Sequence, residues 1–219
     1  MCLYWNVSLM ESKMNTGFQK RIYTFKSLVA DMGFLAASMP RAEAMSRNEK
    51  ISKAFIEKVM TVVTVINGCM YCSWFHARQA VESGLTASEV HNLFNLQFET
   101  DASEFELPAL LYAQHYAETN RHPQPEMTEK LRAFYGEETA SQILLIIRMI
   151  TFGNLSGNTW DAIVSRLRGN PAKDSSVLFE AFFFLLTWYA MIPMMMLSRD
   201  YRQRQQVVAN GDNSPSAAS

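Results

Sequence analysis

Cysteine is nearly absent from this chain: Cys2, Cys69 and Cys72 are the whole complement in 219 residues. A small secreted domain stapled by disulfides carries more, in spaced pairs, so that class is excluded. Glycine (9) and proline (7) are scarce too, which speaks for helices and against a turn-rich β fold. Charge is thin, at 19% of residues, and balanced to a net −1. A nucleic-acid binder would show a basic excess, so none is expected as a partner. Met1–Lys13 lacks the basic start, apolar run and small-residue cleavage site of a secretory signal. Met14 opens a more ordinary N-terminus. A cytoplasmic protein is the expectation.

What the chain does have is apolar bulk: 48% hydrophobic residues, with 14 Met and 14 Phe. That suffices for one sizeable helical core. The expected organisation is an N-terminal arm and helix (1–45), a core domain (46–170), an apolar C-terminal helix extension (171–208) and a disordered tail (209–219). Helical spacing runs from Phe25 to Met39, and Pro40 with the polar stretch through Asn48 is expected to break it. Ser46 and Glu49 are placed as a capping box. Lys50 to Ile66 carries the stripe Ile51, Phe55, Val59, Val62, Ile66. Its β-branched stretch from Thr61 to Ile66 would allow a strand, but the length of the periodic run argues for helix. Asn67-Gly68 breaks the chain. Cys69–Glu82, Thr86 to about Phe98 (capped with Glu89), Ser103–Thr119 and Thr128–Tyr135 follow as helices. Glu138–Phe152 and Thr159–Arg168 are expected to be separated by interruptions at Gly153 and Gly157, before a stop at Gly169-Asn170-Pro171.

Ala181–Leu197 holds no charged residue, and Arg199, Arg202 and Arg204 follow it. A membrane anchor with a basic flank has this form. The stretch is short for a span and Pro193 interrupts it, so a helix buried at a subunit interface is the favoured reading and membrane contact the disfavoured one.

The chemistry concentrates in Cys69-Met70-Tyr71-Cys72-Ser73-Trp74-Phe75-His76. On a helix, offsets of three, four and seven return to one side, so Cys69, Cys72 and His76 share a face. Cys69 falls in the first turn, where the helix dipole and free backbone N–H groups stabilise a thiolate. His76, one turn after Cys72, can take a thiol proton or hold a thiolate as an ion pair. The C-x-x-C spacing allows a disulfide. Glu57, on the preceding helix, would meet this face if the two helices fold back across Asn67-Gly68.

Glu57 followed by Cys69-x-Tyr71-Cys72-x-x-x-His76 resembles the motif of the alkylhydroperoxidase D and carboxymuconolactone decarboxylase family, in its peroxidase branch. Ala80–Leu85 (AVESGL), the Thr86 helix, Leu107–Ala117 (LPALLYAQHYA) and the late apolar helix into Gly153-Asn154 resemble the family's other helices. The resemblance runs from about Lys50 to Arg168. It implies an all-α, alkylhydroperoxidase D-like domain that assembles as a homotrimer or homohexamer and needs no cofactor. It also implies an antioxidant peroxidase in which Cys72 attacks the peroxide and Cys69 resolves the sulfenic acid to a disulfide. His76 would deprotonate Cys72, with Glu57 in the proton relay. An external thiol or dithiol reductant protein would complete the cycle. One position departs: Tyr71 stands where the family's peroxidases carry a histidine, and a phenol is a poor base near neutral pH. The family's lactone decarboxylases generally lack the cysteine pair.

Blander readings stand beside this one. The two cysteines could be buried structural thiols, or with His76 three ligands of a zinc site that wants four. Glu57 could be a solvated helix residue and Tyr71 a packing residue. His91 and His115 read as structural, and Asn154, Asn158, Asp161 and Arg166 as helix caps or a subunit contact. A thiol–disulfide oxidoreductase acting on another disulfide, or a non-catalytic redox-sensing module, would use the same pair. Dipole logic favours Cys69 as the attacking sulfur, whereas the family analogy and His76 favour Cys72.

Overall fold

The computed structural model describes residues 18–173 and 175–211, with side chains up to Ser198. Eight helices and no strand occur among the described residues: α1 (Phe25–Ala37), α2 (Met39–Ser46), α3 (Lys53–Asn67), α4 (Met70–Glu82), α5 (Ala87–Phe94), α6 (Leu107–Glu118), α7 (Pro125–Leu167) and α8 (Val177–Gly211). The all-α expectation holds. The arm before residue 18, with Cys2 and both candidate starts, lies outside the described residues, as does the tail from 212.

The centre of the fold is α3, which packs against α4, α5, α6 and α7. Phe55, Val59, Val62 and Val63 are fully or almost fully buried on it, against Leu110 and Ala113 of α6 and Ile143, Ile146 and Ile147 of α7. Burial on several sides explains why a β-branched run stays helical: packing outweighs a propensity deficit of only tenths of a kcal/mol per residue, about 0.7 at most. Ser52 caps α3 by accepting from the Phe55 N–H at 3.1 Å. Gly68 closes it at φ 66°, a left-handed cap that costs glycine little.

Several sequence expectations need correction. Pro40 does not end a helix; it sits in the first turn of α2, where its missing N–H has no intrahelical partner to lose. Ser46 is no cap, since its hydroxyl donates back to the Glu43 carbonyl at 2.7 Å within α2. The Thr86–Glu89 capping box forms, but α5 stops at Phe94. The helix placed at Thr128–Tyr135 starts earlier, at Pro125, and Gly136 (φ 78°, ψ 162°) bends the chain within α7. Neither Gly153 nor Gly157 interrupts α7, which runs helical through both.

A second apolar cluster joins the N-terminal arm to the C-terminal helix: Tyr23, Leu28, Leu155, Trp160, Phe179 and Phe183. Trp160 donates its indole N–H to Thr187 at 2.9 Å, and Arg166 pairs with the buried Glu180 at 2.5 Å, so α8 is tied to α7. Its outer face is not covered. Leu178, Leu185 and Tyr189 are 85%, 71% and 67% exposed, and Val177–Ser198 is long and apolar enough to cross a membrane by length and composition.

Candidate functional site: a cysteine pair at a helix start

Gly68 turns the chain from α3 into α4 and leaves Cys69 as the N-cap of α4. Its sulfur accepts the Cys72 backbone N–H at 3.3 Å. Cys69 and Cys72 are joined as a disulfide with Cα atoms 5.4 Å apart. Cys69 is wholly buried and Cys72 only partly so.

Helix α3 folds back along α4 and brings Glu57 to His76. The His76 Nδ1 lies 2.7 Å from the Glu57 carboxylate, with both residues buried, at 8% and 6% exposure. A carboxylate only accepts, so Nδ1 donates and Nε2 is the ring nitrogen left to face another partner. Cys72 lies one helical turn before His76 on the same face. An imidazole oriented by a buried carboxylate thus lies one helical turn from the disulfide-bonded Cys72.

Tyr71 goes elsewhere. Its hydroxyl donates to Asp161 on α7 at 2.8 Å, and the other Asp161 oxygen takes Lys20 at 2.5 Å. The structure brings Cys69, Cys72, His76 and Glu57 together and gives Tyr71 a partner outside the Glu57–His76 pair.

Helix α7 closes the back of the site, which the sequence reading did not foresee. A Cβ placed on Gly157 would lie 2.6 Å from the Cys69 sulfur and 3.3 Å from the Tyr71 ring. The glycine is there because the disulfide leans on the α7 backbone. Asn158 donates to the Asn67 carbonyl at 2.8 Å, and Thr64 donates to Asn154 at 3.1 Å. Asn154, Asn158 and Asp161 fall at offsets of four and seven, one helix face. That periodicity was the available signal, hidden because glycines in a helix read as breaks. Asn67 Nδ2, Asn154 Nδ2, Asn158 Oδ1 and Thr61 Oγ1 are buried with no protein hydrogen-bond partner, so the α3–α7 seam near the cysteines is polar.

Gly157→Ala should therefore destabilise the protein by about 1–3 kcal/mol, since the added methyl must displace the sulfur or the backbone. Thermal unfolding of the oxidised protein measures it. An unchanged melting temperature would show that the contact is loose.

The histidines set aside stay apart: His91 is exposed, and His115 accepts the Gln124 backbone N–H at 3.1 Å. No group of three or more His, Cys, Asp or Glu side chains is arranged to hold a metal among the described residues.

A buried disulfide at a helix start, beside a carboxylate-bound imidazole in an all-helical frame, defines a thiol–disulfide redox site. Residues 33–115 match the Carboxymuconolactone decarboxylase family, and the paired cysteines are consistent with its alkylhydroperoxidase D-like, peroxidase branch. The matched segment contains Glu57, Cys69, Tyr71, Cys72 and His76 but ends before α7. No curated protein and no solved structure matched the chain.

Proposed function

We propose that the protein is a thiol-dependent peroxidase that reduces hydrogen peroxide or organic hydroperoxides, with an antioxidant role. The observation that carries this reading is the buried Glu57–His76 pair one turn from Cys72, the less buried partner of the disulfide. In the reduced protein, His76 takes the Cys72 proton and the thiolate attacks the outer peroxide oxygen. The O–O bond breaks, Cys72 becomes a sulfenic acid, and the alkoxide leaves as the alcohol with a proton returned from His76. The Cys69 sulfur then attacks the Cys72 sulfur; an S–S bond forms and water leaves. An external thiol or dithiol reductant restores the pair by attacking Cys72. Cys69 is the leaving sulfur, and its N-cap position favours that step because a backbone N–H already points at it.

Stopped-flow mixing of the reduced protein with hydrogen peroxide and with an organic hydroperoxide tests the reading. Two thiols per chain should be lost far faster than from a free thiol. His76→Gln should slow this step by about 10²–10⁴-fold, the usual worth of a positioned base. Glu57→Gln, which leaves the imidazole without its carboxylate, should slow it by about 10–100-fold. Loss no faster than a free thiol, in the wild type, would refute the peroxidase reading. The partial exposure of Cys72 favours a second reading in that case, exchange with another protein's disulfide. A cytoplasmic location, where a thiol reductant is at hand, and assembly as a trimer or hexamer belong to the same proposal.

A further inference from the structure

A cavity of about 980 Å³ opens between residues 18–27, the turn after α6 and the segment after α7. Its size is that of a large small-molecule pocket, about 300–1,000 Å³. Lys20, Arg21, Arg121 and Lys173 line it, and among the described residues no lining side chain carries a carboxylate. Two aspartates stand behind the wall. Asp161 takes Lys20, and Asp31 is shared between Arg121 at 2.8 Å and Arg148 at 3.0 Å. Arg21 and Lys173 have no carboxylate partner among the described residues. Arg21 is held only by carbonyl oxygens: the backbone of Ala117 and of Glu118, and the Asn67 side chain at 3.4 Å. The two backbone carbonyls are the last of α6, whose dipole offsets part of the guanidinium charge but supplies no full counter-charge.

The wall is also bent. Asn120 and Arg121 both sit at positive φ (52° and 73°), sparsely populated for residues with a Cβ and characteristic of backbone shaped for a site. Apolar surface from Ile22 and Leu155 completes the lining. A one-sign cleft with low-dielectric walls concentrates counter-ions of opposite sign. Hydrogen bonds link its lining to the segment that carries the cysteines. Lys20 is two hydrogen bonds from Tyr71 through Asp161, and Arg21 bonds Asn67, two residues before Cys69.

We infer that this cavity binds an amphipathic anion, a carboxylate or phosphate monoester on an apolar chain, with Arg21 and Lys173 holding the headgroup. Resting on the peroxidase reading above, it follows that the preferred substrate is a hydroperoxide bearing such an acid group.

Titration calorimetry of the full chain with decanoate, decyl phosphate and decanol, below their aggregation concentrations, tests the binding without any peroxide. At least one anion should bind tenfold or more tighter than decanol, which reports uptake by the exposed face of α8. The tighter anion identifies the headgroup. Arg21→Gln should weaken that binding by about 10-fold or more, as for a hydrogen bond to a charged group. Lys173 is exposed and has no ion-pair partner among the described residues, so Lys173→Gln keeps the fold and should weaken binding by a smaller factor of about two to five, as expected of an exposed ion pair. Decanol binding as tightly as both anions, or anion affinity untouched in both variants, overturns the inference. Anion binding without peroxide turnover would leave the cavity standing and refute only the peroxidase reading.

Discussion

Cys72→Ser should abolish peroxide turnover, lowering kcat/KM by at least about 10³-fold, to the level of an isolated thiol. The serine hydroxyl is not ionised near neutral pH and forms no sulfenic acid. The geometry separates the two sulfurs sharply. Cys69 is buried against Gly157 and is the cap of α4, whereas Cys72 is partly open and one turn from His76. Cys69→Ser should behave differently. One round of oxidation at Cys72 should survive, detectable by mass as a sulfenic acid or a mixed disulfide, with steady-state turnover lost. Full turnover in Cys72→Ser, or sulfenic acid trapped at Cys69 in that variant, would reverse the assignment.

The largest stability effect is expected at Asp31→Asn. Asp31 lies 3% exposed at the meeting of α1, the turn after α6 and α7. It accepts from Tyr23 at 2.9 Å as well as from Arg121 and Arg148, and the Arg148 guanidinium stacks 3.4 Å from the Phe34 ring centre. Burial, then the adjacent carboxylate, holds the Tyr23 hydroxyl protonated well above the ordinary tyrosine range, so it donates at any physiological pH. Removing the one charge that both arginines share leaves two cations uncompensated. Breaking a buried ion pair this way costs about 3–5 kcal/mol. For a chain of this length that is a fall in Tm of about 6–20 °C. Denaturant unfolding should show a lower midpoint with an unchanged slope, and a loss below about 1 kcal/mol would show that Asp31 is not a fastener of the fold.

The site's near half was legible because its signals are local. The stripe from Phe55 to Ile66 placed α3, Asn67-Gly68 placed the turn, and the spacing of Cys69, Cys72 and His76 put them on one helix face. Glu57 was reached through the family resemblance. A glutamate off the apolar stripe reads as solvated until a second helix covers it. The far half was not legible for a related reason. Gly157 looked like a helix break, because glycine inside a helix is unfavourable by about 1 kcal/mol unless a neighbour needs the space. That neighbour is Cys69, 88 positions earlier in the chain. Lys20 and Asp161 are likewise distant partners, joined only once α7 lies across the arm. Pro40 failed in the opposite direction: proline stops a helix from inside but starts one from its first turn, and the periodic pattern does not say which.

Because Cys69 is both a disulfide partner and the cap of α4, opening the disulfide does not uncap the helix. The Cys72 N–H has the same sulfur to point at when that sulfur is a thiolate, and the bond gains strength from the charge. Switching between the two redox states thus asks for little beyond rotation of the Cys72 side chain, with the backbone of α4 already in register. The reorganisation energy of the cycle is confined to a few atoms. On the proposed peroxidase reading, turnover would be set by encounter with the peroxide and with the reductant, not by rearrangement of the fold.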